Sequence, residues 1–271
     1  MAQFTGGKVQ MLFRLLGPVR IAGATEMQSS TRRALLTALL LRRGQFMGMD
    51  ELVELLWPAP PSSAVANLRS HLTGLRRSLD SAQPGLSKRL TTSRGADTGY
   101  ALRVDADEID LSRFLRLARQ GRELLAAGQH QRAVGALGEA LALWRGPFGQ
   151  RLPATRWFHA HTLGLNNTRL EACQNYFAAC LLTQRTEMLP YRIETVLAGA
   201  PHRQRLWQLL AASYCAQGDV PGALGVIERC RTVFAEDLGL DVPPGVEAIR
   251  AAALTWDTAR AHRLVAEMAR L

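Results

Sequence analysis

The 271-residue sequence predicts a mainly α fold: an N-terminal winged helix-turn-helix with short β-hairpins, then a C-terminal tetratricopeptide-like all-helical domain. Three observations lead there. Two strand-pair patterns bracket three helical patterns within residues 8–104. From residue 105 onward the periodic segments are helical, and two repeat one Gly-turn spacing. The net charge of +10 is also divided unevenly, with 14 Lys+Arg against 6 Asp+Glu in residues 1–104 and 19 against 17 in residues 105–271. A basic first part joined to a near-neutral remainder points to a polyanionic partner for the first part. The length suits two domains of roughly 100–200 residues each. The expected division is a DNA-binding domain at 8–104, a helical-repeat domain at 105–255 and an amphipathic tail at 256–271.

The first element is a hairpin. In "MLFRLLGPVRIAG", Phe13 and Leu15 precede the Gly17-Pro18 turn, and Val19 and Ile21 follow it. "SSTRRALLTALLLRRGQ" is a helix that Ser30 or Thr31 can cap and Gly44 ends. "MDELVELLWP" is a second helix, stopped by Pro58. The stiff link "PAPPSS" leads to a third helix capped by Ser62 or Ser63. A second hairpin pairs Leu90–Thr92 with Tyr100–Val104, and its loop "SRGADTG" carries Arg94 at the tip.

The third helix, "NLRSHLTGLRRSL", carries the recognition argument. Val65, Leu68, Leu72, Leu75 and Leu79 form one stripe at spacings of three and four, the expected core face. The opposite face holds Ser63, Asn67, Ser70 and Gly74, with Ala66, Thr73 and Arg77 alongside and Arg69 and Arg76 on a flank. Mid-helix Gly costs about 1 kcal/mol relative to Ala. Small polar residues between arginines suit a surface that enters a DNA major groove, with Gly74 keeping bulk out. A solvated helix with an incidental Gly is the competing reading of the helix alone; its place as third helix before a basic hairpin favours the first. Arg32 and Arg33, near a helix start, are candidate phosphate contacts or solvated first-turn charges. Arg94 reaches a minor groove or phosphate, or sits on a mobile loop. Lys88 and Arg89 add to the basic field. The stiff loop holding Trp57, Pro60, Pro61 and Ser62 can present a fixed surface to a neighbouring protein, or serve as a simple inter-helix turn.

Beyond residue 105, "LLAAGQHQRAVGALGEALALW" and "LWQLLAASYCAQGDVPGALGVIERC" each join two helices at a Gly turn, Gly128 and Gly218, with small Ala residues where helices approach. This spacing resembles the tetratricopeptide repeat. A third pair fits roughly over residues 162–197, and "EDLGLDVPPGVEAIRAAAL" closes the array. Cys173, Cys180, Cys215 and Cys230 form no CxxC pair and read as buried free thiols of a reducing compartment. No catalytic or metal-binding residues and no cofactor are expected: HExxH, GxSxG and GxxxxGK[ST] patterns do not occur, and His159 and His161 are two apart, a poor metal pair on a helix. No apolar run reaches the ~20 residues of a membrane span, so a cytoplasmic protein is expected.

The segments "LLGPVRI", "RRALLTALLLRRGQ", "LVELLW", "LTGLRRSL" and "GYALRV…EIDLSRF", followed by "ALALWRG" and "PHRQRLWQLLAASYCAQGDVPGALGVIERCRTVFAEDLGLDVPPGVEAI", together resemble the Streptomyces antibiotic regulatory protein family. These are activators that join an OmpR-type winged helix to a bacterial transcriptional activation domain. The resemblance implies binding to direct repeats in double-stranded promoter DNA, protomers associating side by side there, contact with RNA polymerase including its sigma factor, and control of a secondary-metabolite (antibiotic) gene cluster. The wing loop is longer than usual for the family, and Gly48 stands where a capping Ser is common. The alternative function is a helical-repeat adaptor with a ligand- or partner-sensing role and weak DNA binding.

Overall fold

The computed structural model describes residues 11–93 and 98–270. They form two compact units, one taking the chain up to Leu115 together with Ala142–Asn167, the other Arg116–Leu141 with Thr168–Leu271.

In the first unit, β1 (Phe13–Arg14) and β2 (Arg20–Ile21) pair antiparallel, with Phe13 opposite Ile21, as the alternation around Gly17-Pro18 predicts. Helix α1 (Ser30–Leu41) is capped by Ser29, whose hydroxyl accepts from the Arg32 N–H at 3.2 Å. The cap thus lies one or two residues earlier than the expected Ser30 or Thr31, because all three residues are competent and the helix begins at the first of them. Strand β3 (Met47–Gly48) leads into α2 (Met49–Leu56), which lacks a side-chain cap but carries Asp50 and Glu51 in its first turn, where carboxylates favour the helix dipole. Helix α3 (Ala64–Ala82) follows, then β4 (Leu90–Ser93) and β5 (Gly99–Leu102). The three strands form one sheet in the order β3-β5-β4. The sequence reading lacks β3: a two-residue strand has no periodicity to detect, and its pairing with Gly99 and Tyr100 is set by contacts about fifty residues away.

Leu68, Leu72, Leu75 and Leu79 are buried as the stripe predicts, but Val65 is 38% exposed. Ala64 takes its place in the core, since the first turn of α3 points its larger side chain past the packing surface.

A buried carboxylate ties this unit together. Asp110 is 1% exposed and opens α4 (Asp110–Ala126). Its two oxygens accept from the backbone N–H groups of Leu15 at 2.7 Å and Leu16 at 3.1 Å, next to the first hairpin's turn. Arg145 completes the node, donating to Asp110 at 3.3 Å and to the Pro18 carbonyl at 3.0 Å. Phe114 and Trp144 pack edge to face beside it, ring centroids 5.2 Å apart.

The second unit is all helical. The remaining helices of the chain are α5 (His130–Ala142), α6 (Arg156–Leu182), α7 (Leu189–Leu197), α8 (Gln204–Ala216), α9 (Val220–Leu238), α10 (Pro244–Leu254) and α11 (Thr258–Met268). The expected Gly turns are present, with Gly128 at φ 74° and Gly218 at φ 76°, left-handed conformations that side chains with a Cβ rarely adopt. Ala133, Leu137, Ala140, Ala223 and Ile227 are buried where the repeat pattern places them. α8 packs against α7, α9 and α10. Beyond Trp256, Thr258–Met268 form α11, which packs on α8 and α10 and buries Ala261 and Val265. All four cysteines are buried free thiols; burial pushes Cys230 up to about 11 and raises the other three. No helix among the described residues is long and apolar enough to cross a membrane.

Asp110→Ala leaves two backbone N–H groups and a guanidinium without their acceptor, and is expected to cost about 2–4 kcal/mol in urea unfolding. Burial holds the Asp110 carboxyl above its ordinary value of 3.8, outweighing the pull of Leu15, Leu16 and Arg145 in the other direction. A carboxyl whose folded pKa is raised stabilises most at pH below 3.8 and loses that contribution as pH rises through the folded value. Asp110→Asn should remove this slope from a pH series; an unchanged slope together with an Asp110→Ala loss under about 0.5 kcal/mol would contradict the role given to the node.

Candidate nucleic-acid interface

The recognition candidates on α3 separate into free and engaged groups. Asn67, Arg69, Ser70, Thr73 and Arg77 are exposed. Asn67 donates to the Ser63 hydroxyl at 3.1 Å, and Thr73 donates to the Arg69 carbonyl at 3.0 Å. Neither bond removes a side chain from the surface. Arg69 and Arg77 enter none of the ion pairs among the described residues, so both charges stay available to an anion.

Gly74 lies elsewhere than expected. It is buried, and a Cβ there would come within 2.4 Å of Arg32 Nη2 and 2.6 Å of Arg32 Cζ. The glycine admits the α1 guanidinium instead of opening a DNA-facing surface. The leucine stripe marks only the centre of the packed face; α1 covers a broader arc that includes Gly74 and half-buried His71. Burial, and then the Arg32 charge, lower the His71 pKa. Arg32 Nε is buried with no hydrogen-bond partner among the described residues.

Several other candidate cations have partners within the protein. Arg76 donates to the Leu90 carbonyl at 3.4 Å and to the Thr92 hydroxyl at 3.1 Å, tying α3 to the first wing strand. Arg89 pairs with buried Glu108 at 2.6 Å, and the same carboxylate oxygen accepts from the Asp105 N–H at 2.9 Å. Arg33 donates to the carbonyls of Met27 and Gln28. Lys88 is exposed. Arg94 lies outside the described residues. In the loop between α2 and α3, Pro60, Pro61 and Ser62 are exposed, while half-buried Trp57 sits 6.3 Å from the His71 ring. The Pro61 carbonyl accepts from the Ala64 N–H at 2.9 Å, which joins the loop directly to the first turn of α3.

Sequence reasoning did not single out a second basic feature, a cavity of about 490 Å³ lined by Arg43, Gly44, Arg89, Arg103, Val104 and Asp105. These residues come from three separate segments, and only the "RRG" after α1 hints at them. Among the described residues no group of three or more His, Cys, Asp or Glu side chains is placed to hold a metal ion.

A three-helix, winged module with a helical domain after it defines the class of protein: a transcriptional regulator. Residues 25–102 match the family described as transcriptional regulatory protein, C terminal, and residues 109–254 match the bacterial transcriptional activator domain. Transcriptional regulatory protein EmbR of Mycobacterium tuberculosis is 31% identical over 241 residues, which span 88% of this chain and 61% of EmbR. Transcriptional regulator RedD of Streptomyces coelicolor is 30% identical, over 89% of this chain and 68% of RedD. Regulatory protein AfsR of Streptomyces griseus is 31% identical over 90% of this chain, but only 24% of AfsR is covered. The solved structure of Mycobacterium tuberculosis EmbR in complex with a low affinity phosphopeptide superposes with a TM-score of 0.83 at 28% identity, covering 95% of this chain and 68% of that one. The chain belongs to the Streptomyces antibiotic regulatory protein family of transcriptional activators.

The contact between Arg32 and Gly74 makes a specific prediction. Gly→Ala in a helix interior gains about 1 kcal/mol where space allows. Gly74→Ala displaces the end of the flexible Arg32 side chain, so it should gain less than this in the parent protein and the full amount in an Arg32→Ala background. A double-mutant cycle by chemical denaturation checks this; additive effects would show that the two residues do not meet.

Proposed function

We propose that this chain is a sequence-specific DNA-binding activator whose α3 lies in the major groove. The observation that carries the reading is the outward face of α3, where short uncharged hydrogen-bonding side chains (Asn67, Ser70, Thr73) stand beside the exposed arginines Arg69 and Arg77. Short polar groups suit base edges, and the arginines suit phosphates or guanine. The excess positive charge of residues 1–104 supplies the attraction to the duplex. Arg76 acts through the protein: by holding β4 it sets where the wing stands relative to α3. Residues 8–104 are the DNA-binding domain of this proposal, residues 105–255 the activation domain and residues 256–271 the tail.

In the same proposal, protomers bind side by side on promoter direct repeats, and the loop of Trp57, Pro60, Pro61 and Ser62 meets RNA polymerase with its sigma factor. Family membership supports these steps, as does a loop that is stiff, exposed and anchored to α3. The relatives RedD and AfsR, both from Streptomyces, support a target among secondary-metabolite (antibiotic) genes.

Asn67→Ala or Thr73→Ala should cost about 1–3 kcal/mol on the cognate site and little on random DNA. Arg69→Ala should weaken both and lower the salt slope by about one unit. Mobility shifts of each variant on cognate and random duplexes across a salt titration separate these. Parent-like binding of both DNAs by the Asn67 and Thr73 variants would show that this face does not read sequence.

A further inference from the structure

The second unit contains a cavity of about 720 Å³, within the size range of small-molecule sites, lined by Leu181, Gln184, Thr186, Ala216, Thr258, Ala259, His262 and Arg263. It lies at the ends of α6 and α8 and along one side of α11. Two features build it. Gln184 adopts a left-handed conformation at φ 57°, and Gln217 donates to the Thr186 carbonyl at 3.1 Å, so the turn after α6 is fixed against the end of α8. Helix α11 then has two working faces. Ala261 and Val265 are buried, while Thr258, Ala259, His262 and Arg263 are exposed along the cavity.

The lining divides chemically. Exposed Ala216 and Ala259, over buried Leu181, offer apolar surface; the Arg263 guanidinium offers a positive end beside the His262 imidazole, with Gln184 and Thr186 as neutral hydrogen-bonding groups. The carboxylate paired with Arg263 is Asp257, at a loose 3.7 Å with the arginine side chain 63% exposed. Such a pair is weak in water and yields to a better-placed anion. A cavity with an apolar floor and a positive end selects an organic anion: a carboxylate or phosphate head on Arg263 within reach of a His262 ring N–H, with an apolar body against Ala216 and Ala259.

We propose that this cleft in the helical domain is a binding site for a small amphiphilic anion. The site is independent of α3, so DNA binding by the protein can fail or succeed without deciding it.

The full chain is titrated with octanoate, with octyl phosphate, and with octanol and inorganic phosphate as probes that each supply half of the match. Thermal shift and amide NMR are the readouts. Octanoate or octyl phosphate should raise the melting temperature saturably and shift the amides of Thr186, Ala216 and residues 258–263. Octanol and inorganic phosphate should do neither. Arg263→Gln should weaken binding about tenfold, as expected for loss of a charge-assisted contact. Ala259→Trp, at an exposed position that leaves the charges in place, should block binding by filling the space. No saturable response to either amphiphile, equal binding by octanol, or undiminished binding by both variants would overturn the proposal. A response to inorganic phosphate alone would also overturn it, as general anion binding.

Discussion

The four leucines that seat α3 on the core set which of its residues face outward, and the close approach of α1, with the Arg32 guanidinium packed against Gly74, closes one flank. The absent side chain at Gly74 admits Arg32, and a Cβ there would come within 2.4 Å of it. On the other flank, Arg76 bonds β4. Between these two restraints Asn67, Ser70, Thr73 and Arg77 are left on the surface.

Asp110 does comparable work at the other side of the same unit. The GPVR turn would otherwise leave the Leu15 and Leu16 N–H groups buried and unmatched; the carboxylate at the start of α4 takes both. Arg145, thirty-five residues further on, offsets the buried charge. Residues well beyond the last wing strand therefore finish the unit to which the hairpin belongs, and the chain up to Leu115 is grouped with Ala142–Asn167 for that reason among others.

The sequence was legible where periodicity or a local rule decides the structure. The leucines of α3, the Gly turns at Gly128 and Gly218 and the Pro58 stop each depend on residues within a few positions. It was illegible where a distant partner decides. β3 exists only through β5; Arg89 is neutralised by Glu108; Asp110 has its acceptor role only once Leu15 and Leu16 are beside it. Gly74 is the instructive case. The sequence places Gly74 on the DNA-facing surface, whereas in the structure the group that approaches it is the Arg32 side chain of the same protein. A wheel shows which residues share a face and carries no information about how many neighbouring helices cover it. The amphipathic pattern beyond Trp256 does not name its partner, which in the structure is α8 and α10.

The central claim is that the outward face of α3 enters the major groove. All four native cysteines are buried with raised thiol pKa values, so Ser70→Cys supplies one accessible thiol for a photoactivatable crosslinker. Bound to a footprinted promoter fragment and irradiated, this derivative should crosslink to bases within each protected repeat, and a derivative of Glu171→Cys in the helical domain should not. Absence of base crosslinks from position 70 on DNA that the protein demonstrably protects would contradict the account.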